Sequence, residues 1–177
     1  MLRPHPACLP PEEFLREVET ERTRGSGPGG QHRNRTETFL RVRHLPTGFT
    51  AQAGERRSQH QNLQKALWRL RLNLALNYRR PHLEGQWEHP LEYRPSPLWT
   101  ARLRGGRIAC RREHRDFPAL LAEALDLLHV YRDDLERTGE ALRVTRSQLV
   151  RFLAIEPRAL AALNERRKAR GQKPLRA

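Results

Sequence analysis

The strongest constraint on the fold is a strand–turn–strand–helix pattern within the first half of the chain. Residues 38–44 alternate, with Leu40 and Val42 on one face and arginines on the other, which predicts a half-exposed strand. Residues 46–48, Pro-Thr-Gly, predict a turn, and residues 49–53 predict the returning strand. These elements together predict an antiparallel hairpin.

A long helix is predicted directly after the hairpin. Ser58 and Gln61 form a capping box, which marks a helix start. Leucines then recur on one helical face, at Leu63, Leu67, Leu70 and Leu74. We expect this face to pack on the apolar side of the sheet and to leave Lys65, Arg69 and Arg79 in solvent. Those charges fit a solvated face and RNA contact equally well.

The whole pattern predicts an α+β fold, in which a small sheet with a long packed helix is followed by a mostly helical C-terminal region. A short helix over residues 11–16 and an extended segment over residues 18–24 precede the hairpin. We expect three parts, namely an α+β domain over 1–80, a proline-rich connection with a small hairpin over 81–115, and a helical region over 116–177.

In the second half, residues 99–103 and 107–110 flank Gly105-Gly106 and predict two short strands. Asp116-Phe117-Pro118 then opens a helix that runs to about His129. The leucines of this helix fall on one stripe, which is typical of a core-facing helix.

Residues 133–153 resemble a helix-turn-helix, with Thr145 as the cap of its second helix. Nucleic-acid binding and ordinary packing of two helices across a tight turn are both open interpretations. A third helix is predicted from residue 157 to about residue 170, before Gly171. It leads into a basic cluster that fits an RNA-binding tail or a solvated terminus, comprising Arg166, Arg167, Lys168, Arg170 and Lys173.

The charge of the chain predicts a polyanionic partner. There are 34 Lys and Arg against 20 Asp and Glu, a net charge of +14, and three of the 34 are lysines. The planar fork of arginine suits phosphate. Residues 24–80 concentrate this charge, with twelve basic side chains against two acidic ones.

Other classes of protein are disfavoured. Cys8 and Cys110 are too few and too far apart for a disulfide framework or a zinc motif, so that no metal and no cofactor are expected. No apolar stretch approaches the length of a membrane span. The N-terminal residues lack an apolar signal core and include five acids by Glu21. We therefore expect a cytoplasmic protein without a membrane partner.

A glycine-rich run occupies residues 24–38, RGSGPGGQHRNRTET. Gly29 and Gly30 lack a Cβ, so they can take positive φ and let the backbone approach a crowded group. A backbone N–H freed by that geometry can donate to a developing oxyanion. His32 is the one candidate general base in the run, and its position suggests no catalytic triad. The alternative interpretation is a glycine-rich surface loop.

The run resembles a known family when its surroundings are included. Gly29-Gly30-Gln31, Asn34 and Thr38, followed by the turn at 46–48, make residues 18–80 similar to the peptidyl-tRNA hydrolase domain of class-I peptide chain release factors and codon-independent ribosome-rescue hydrolases. Arg33 and Phe39 depart from the usual pattern, which has a β-branched residue and a small one there. We expect these departures to affect the packing beside the run.

The resemblance implies a catalytic set of Gly29, Gly30 and Gln31, in which the Gln31 backbone N–H binds the oxyanion and its side chain positions water. The implied partners are the peptidyl transferase centre of the large ribosomal subunit, peptidyl-tRNA, rRNA and a methyltransferase acting on Gln31. Basic residues expected to hold RNA here are Arg24, Arg33, Arg35, Arg56 and Arg57, with the C-terminal cluster.

The position of the run favours ribosome rescue over termination. Conventional members of the family read stop codons with a domain that precedes this one, whereas 23 residues precede the run here. We therefore expect codon-independent hydrolysis of peptidyl-tRNA on stalled ribosomes. A non-hydrolytic adaptor that binds the ribosome or RNA, and a homologue acting on damaged ribosomes, remain alternatives.

Overall fold

The α+β class is confirmed. A computed structural model describes residues 4–23, 39–81, 83 and 85–176. The chain divides into two compact units, Met1–Tyr78 and Arg79–Ala177. The first unit contains a three-stranded sheet, and the second is mainly helical.

The sheet of the first unit is antiparallel, with strands in chain order: β1 Val18–Thr23, β2 Phe39–His44 and β3 Thr50–Ala53. The predicted hairpin and the extended segment before it are confirmed. Leu40 and Val42 are buried, whereas the arginines of β2 are exposed. The period of two in the sequence therefore reports a sheet with one covered face.

The turn between β2 and β3 is also confirmed. Gly48 has φ +74°, a conformation that favours glycine, and its N–H donates to the His44 carbonyl at 2.8 Å. The buried His44 ring hydrogen-bonds Thr47 Oγ1 at 2.7 Å and Glu17 Oε2 at 3.0 Å. It also stacks on Phe14 of helix α1, Pro11–Arg16, so that the turn and α1 are packed together.

Helix α2, Gln59–Asn77, packs on β2 and β3, as predicted. Ser58 Oγ accepts the Gln61 N–H at 3.4 Å, which confirms the N-cap. Three of the four predicted leucines are buried and Leu63 is half-buried; the buried ones are Leu67, Leu70 and Leu74. This apolar contact between helix and sheet forms the core of the first unit.

The charges expected on the outer face of α2 divide into three cases. Lys65 is exposed, as predicted. Arg69 is partly exposed and forms an ion pair with Glu55. The prediction for Arg79 is wrong, because α2 ends before it and its guanidinium contacts Asp126 at 3.5 Å. Asp126 is 1% exposed, so its burial requires such cationic partners.

Helix α4, Phe117–Val130, is the centre of the second unit and confirms the predicted helix. Its residues from 117 to 128 are all buried, so it is covered on every side rather than on one stripe. Its two acids are therefore paired. Glu123 accepts the Ser96 N–H at 2.7 Å and the Ser96 hydroxyl at 2.6 Å, and Asp126 accepts Arg80 Nε at 2.8 Å.

The strand predicted over residues 99–103 is wrong, because helix α3, Pro97–Arg102, occupies most of it. Ser96 Oγ accepts the Trp99 N–H at 3.0 Å, and a proline follows the cap. This Ser-Pro start outweighs the strand propensity of the segment. A shorter hairpin does form around Gly105-Gly106, from β4 Leu103–Arg104 and β5 Arg107–Ile108.

The predicted helix-turn-helix is present as α5, Leu135–Leu142, and α6, Arg146–Ala154. Thr145 Oγ1 accepts the Gln148 N–H at 3.2 Å, which confirms the cap. A Cβ added to Gly139 would lie 2.7 Å from the Val144 carbonyl oxygen, so this glycine permits the tight turn.

Helix α7, Pro157–Ala169, confirms the third predicted helix, and its end is tied to the α4–α5 connection. Asp133, at φ +64°, accepts two hydrogen bonds from Arg166, at 2.8 and 2.9 Å, and one from Arg170 at 3.0 Å. Burial alone would raise the Asp133 pKa, but these hydrogen bonds and charges outweigh it and hold the pKa below its ordinary value.

The start of β2 is fitted closely to the residue after β3. A Cβ added to Gly54 would lie 2.1 Å from Cδ2 of the Phe39 ring, so the ring rests where any larger residue would project. The large residue at 39 and the absent side chain at 54 are therefore complementary.

We predict that Gly54→Ala lowers the free energy of unfolding by about 1–3 kcal/mol, because the new methyl group displaces the Phe39 ring. Phe39→Ala removes that clash, so the double variant should be more stable than the sum of the single changes implies. Urea unfolding of the four proteins measures this coupling. Additive changes would contradict the proposed fit.

We also predict that Asp133→Asn destabilises the protein by about 1–3 kcal/mol at pH 7, since hydrogen bonds to a charged group are lost. The native pKa of Asp133 is lowered, so its contribution is complete above the pKa of the unfolded chain and disappears as pH falls through the native pKa. Urea unfolding between pH 7 and pH 3 should show the two proteins converging. A constant difference would contradict this account.

Candidate functional site

The sheet brings the two ends of the glycine-rich run together. Thr23, the last residue of β1, is the register partner of Phe39, the first residue of β2. The 15 residues between them therefore leave and re-enter the sheet on neighbouring strands at one end. The predicted site residues of the run itself lie outside the described residues, and these are Gly29, Gly30, Gln31, Arg24, Arg33 and Arg35.

Arg56 and Arg57 follow β3 at the same end of the sheet. Leu40 pairs with Ala53, so β3 ends beside the start of β2. Both arginines are exposed. Two of the predicted RNA-binding residues are thus placed close in topology to the ends of the glycine-rich run.

A buried asparagine fixes the backbone that carries these arginines. Asn62 Oδ1 accepts the Arg56 N–H at 2.9 Å, and Asn62 Nδ2 donates to the Arg56 carbonyl at 2.8 Å. Asn62 is fully buried on α2. Asn62 was not among the residues predicted from the sequence, although a polar residue beside the leucine face of an amphipathic helix is a usable signal.

The acid next to Arg56 has its own partner. Glu55 pairs with Arg69, which also donates to the Gln52 carbonyl at 2.7 Å. Partial burial raises the pKa of Glu55, but backbone hydrogen bonds and Arg69 outweigh burial and leave that pKa below its ordinary value. Glu55 is therefore ionised near neutral pH, and Arg69 offsets its charge.

The basic residues of the C-terminal cluster differ in their surroundings. All four of Arg166, Lys168, Arg170 and Lys173 are exposed, but Arg166 and Arg170 also form ion pairs with Asp133. Arg167 Nε donates to the Lys173 carbonyl at 3.0 Å. Part of the predicted RNA-binding charge is thus used within the second unit.

The residues after α7 fold back along that helix. Asn164 Oδ1 accepts the Leu175 N–H at 2.7 Å, and Asn164 Nδ2 donates to the Leu175 carbonyl at 3.1 Å. Gly171, at φ +68°, allows the reversal. The sequence predicted the helix end here but not this clasp, since Asn164 and Leu175 are brought together by the fold.

Within the described part of the chain, no group of three His, Cys, Asp or Glu side chains is arranged to hold a metal ion. Cys8 is exposed and Cys110 is half-buried. None of the helices formed by the described residues is long and apolar enough to cross a membrane.

Comparison with known proteins identifies the first part of the chain. The RF-1 domain family matches residues 14–90, a range that includes the glycine-rich run. Peptide chain release factor 1 of Aquifex aeolicus is 47% identical over 68 residues, 38% of this chain and 19% of that protein. Peptide chain release factor 1 of Dictyoglomus thermophilum is 43% identical over 65 residues, 37% and 18% of the two chains.

Peptide chain release factor 2 of Buchnera aphidicola is 46% identical over 59 residues, 33% of this chain and 16% of that protein. The matched segment thus spans less than a fifth of each of these three relatives. No solved structure matches the chain. Family match and relatives agree that residues 14–90 are an RF-1 domain, the GGQ-containing domain of the class-I peptide chain release factor family.

Proposed function

We propose that the chain hydrolyses the ester bond of peptidyl-tRNA on stalled ribosomes without reading a codon. The observation that carries this proposal is the Gly29-Gly30-Gln31 triplet within the RF-1 domain. The described structure supports the proposal because Thr23 and Phe39, the residues on either side of the run, are partners on paired strands.

The proposed reaction needs few protein groups. Water oxygen bonds to the ester carbonyl carbon, the bond from that carbon to the ribose oxygen of tRNA breaks, and the ribose oxygen leaves with a proton. The Gln31 backbone N–H donates to the developing oxyanion, and its side chain restricts where the water lies. Gly29 and Gly30 allow the close approach of the backbone.

The proposed partners follow from this chemistry. The ester is presented at the peptidyl transferase centre of the large ribosomal subunit, so the RF-1 domain meets rRNA and peptidyl-tRNA there. Arg56 and Arg57 are exposed and Asn62 fixes the Arg56 backbone, which suits phosphate binding. We further propose Gln31 as the residue that a methyltransferase modifies.

The residues before the run contact helix α2 and the residue that follows it. His5 hydrogen-bonds the Tyr78 carbonyl at 3.2 Å, and Arg71 of α2 donates to the Ala7 carbonyl at 2.9 Å. Phe14 is buried, and Cζ of Arg71 lies over its ring, 4.1 Å from the ring centroid. The segment that contains His5, Ala7 and Phe14 is therefore packed into the first unit.

Peptide release from ribosomes stalled on mRNA without a stop codon tests the proposal, in parallel with release from isolated large subunits and from free peptidyl-tRNA. Release from stalled ribosomes supports the hydrolase. Binding without release would instead favour the adaptor, and activity restricted to ribosomes with cleaved RNA would favour the homologue that acts on damaged ribosomes.

We predict that Gly30→Ala slows single-turnover release by roughly 100-fold or more, because the added Cβ blocks the backbone geometry that presents the donor. Gln31→Ala should slow release less, since it keeps the backbone N–H. Gly25→Ala is the matched control in the same run and should release peptide almost normally. Ribosome binding should be retained in all three, and normal release by Gly30→Ala would disprove the catalytic assignment.

We also predict similar rates of release whether the ribosomal A site holds a stop codon, a sense codon or no codon. Pre-steady-state release from ribosomes programmed with these three mRNAs measures this. Release should slow when intact mRNA extends far beyond the A site, if the exposed Lys168 and Lys173 meet the mRNA channel. A strict requirement for a stop codon would overturn the rescue function, whereas indifference to mRNA length would remove only the channel contact.

A further inference from the structure

The helix-turn-helix of the second unit lies beside a basic hairpin. Strand β5 packs against α6, which places the β4–β5 hairpin next to the second helix of the motif. Exposed arginines project from both elements and from the turn before α6. We call this set the basic face, and its members are Arg104, Arg107, Arg143, Arg146 and Arg151.

Helix α6 is divided sharply into a covered side and an open side. Leu149, Val150, Phe152 and Leu153 are buried, whereas Arg146, Ser147 and Arg151 are exposed. The sequence of α6, RSQLVRFLA, contains no acid. Its open side is therefore polar and cationic, and the apolar side accounts for its place in the fold.

The tip of the hairpin is unobstructed. Gly105 and Gly106 have φ +54° and +72°, and a Cβ built on either would have no neighbour within 4 Å. A turn without side chains lets a bulky partner approach the backbone closely. Arg104 and Arg107 form the last rung before this turn, so they are presented with it.

The arginines of the basic face are not neutralised by the fold. Buried acids of the second unit engage other arginines, since Glu156 binds Arg112 and Arg158, and Asp133 binds Arg166 and Arg170. Among the described residues, no carboxylate lies within 4.0 Å of the other guanidinium groups of this face, and Arg146 has one exposed partner, Glu136, at 3.7 Å.

We propose that the basic face binds double-stranded RNA. A short helix and a hairpin, both carrying exposed arginines, offer phosphate contacts from two adjacent elements. A-form RNA is recognised mainly through phosphates, 2′-hydroxyls and shape, which these arginines and Ser147 are equipped to contact. The choice of RNA over DNA depends on the proposed action at the ribosome, whereas binding of a duplex depends on the face alone.

The test uses the full chain and a labelled 20-base-pair RNA duplex, with fluorescence anisotropy between 50 and 200 mM KCl. Arg107→Gln/Arg151→Gln should weaken binding roughly tenfold at 100 mM and reduce the slope of log K against log salt by about 1–2, since two phosphate contacts are lost. The control Arg94→Gln/Arg132→Gln removes equal charge from exposed positions outside the face and should leave the slope unchanged.

Two further measurements make the result decisive. Arg107→Lys/Arg151→Lys keeps the charge and should retain the slope, which separates phosphate binding from a folding defect. A DNA duplex and single-stranded RNA of the same sequence should bind more weakly than the RNA duplex. Equal effects of the test and control variants would show that the basic face does not bind the duplex. Tighter binding of DNA or of single-stranded RNA would contradict the proposal that double-stranded RNA is its ligand.

Peptide release measured on the same proteins separates this inference from the proposed function. If the wild-type protein releases peptide but does not bind the RNA duplex, the proposal for the basic face is wrong and the proposed hydrolase function stands. If the wild-type protein does not release peptide but its duplex binding depends on Arg107 and Arg151, the proposed hydrolase function is wrong and the proposal for the basic face stands.

Discussion

Pairing of β1 with β2 is the constraint on which the candidate site depends. A 15-residue connection samples many end-to-end separations when free, and closing it costs entropy. The Thr23–Phe39 rung fixes both ends, and packing of α2 on β2 and β3 holds that rung in the folded unit. Hydrophobic burial in the helix–sheet core therefore supports the geometry from which the glycine-rich run begins.

The sequence predicted those elements whose two faces meet different surroundings. In β2, buried Leu40 and Val42 alternate with exposed arginines, so the period identified both strand and face. The same reasoning predicted α2, whereas α4, which is covered on every side, was predicted from its Asp-Phe-Pro start. It failed at residues 99–103, where Ser96 and the following proline start a helix, because the cap of a short element outweighs its strand propensity.

Candidate residues are easiest to name from the sequence where the proposed chemistry lies within one segment, as in the glycine-rich run, and harder to name where a side chain depends on tertiary partners. Asn62 fixes the Arg56 backbone across six residues, and Asp133 meets Arg166 across 33. Sequence alone counts the charge of Arg166 without its partner. The sequence therefore could not show that Arg166 and Arg170, both still exposed, also bind a buried carboxylate.

This distinction changes how the net charge of +14 should be interpreted. Arginines paired with buried acids, such as Arg80 with Asp126, compensate a buried charge within the fold and offer less charge to a partner. Exposed ones, such as Arg57 in the first unit and Arg151 in the second, remain available for phosphate. If both units contact one RNA assembly, their attachment in one chain raises the effective concentration of the second contact after the first forms. Moderate binding by each unit is then sufficient for tight binding by the whole chain, and the RF-1 domain need not bind strongly by itself.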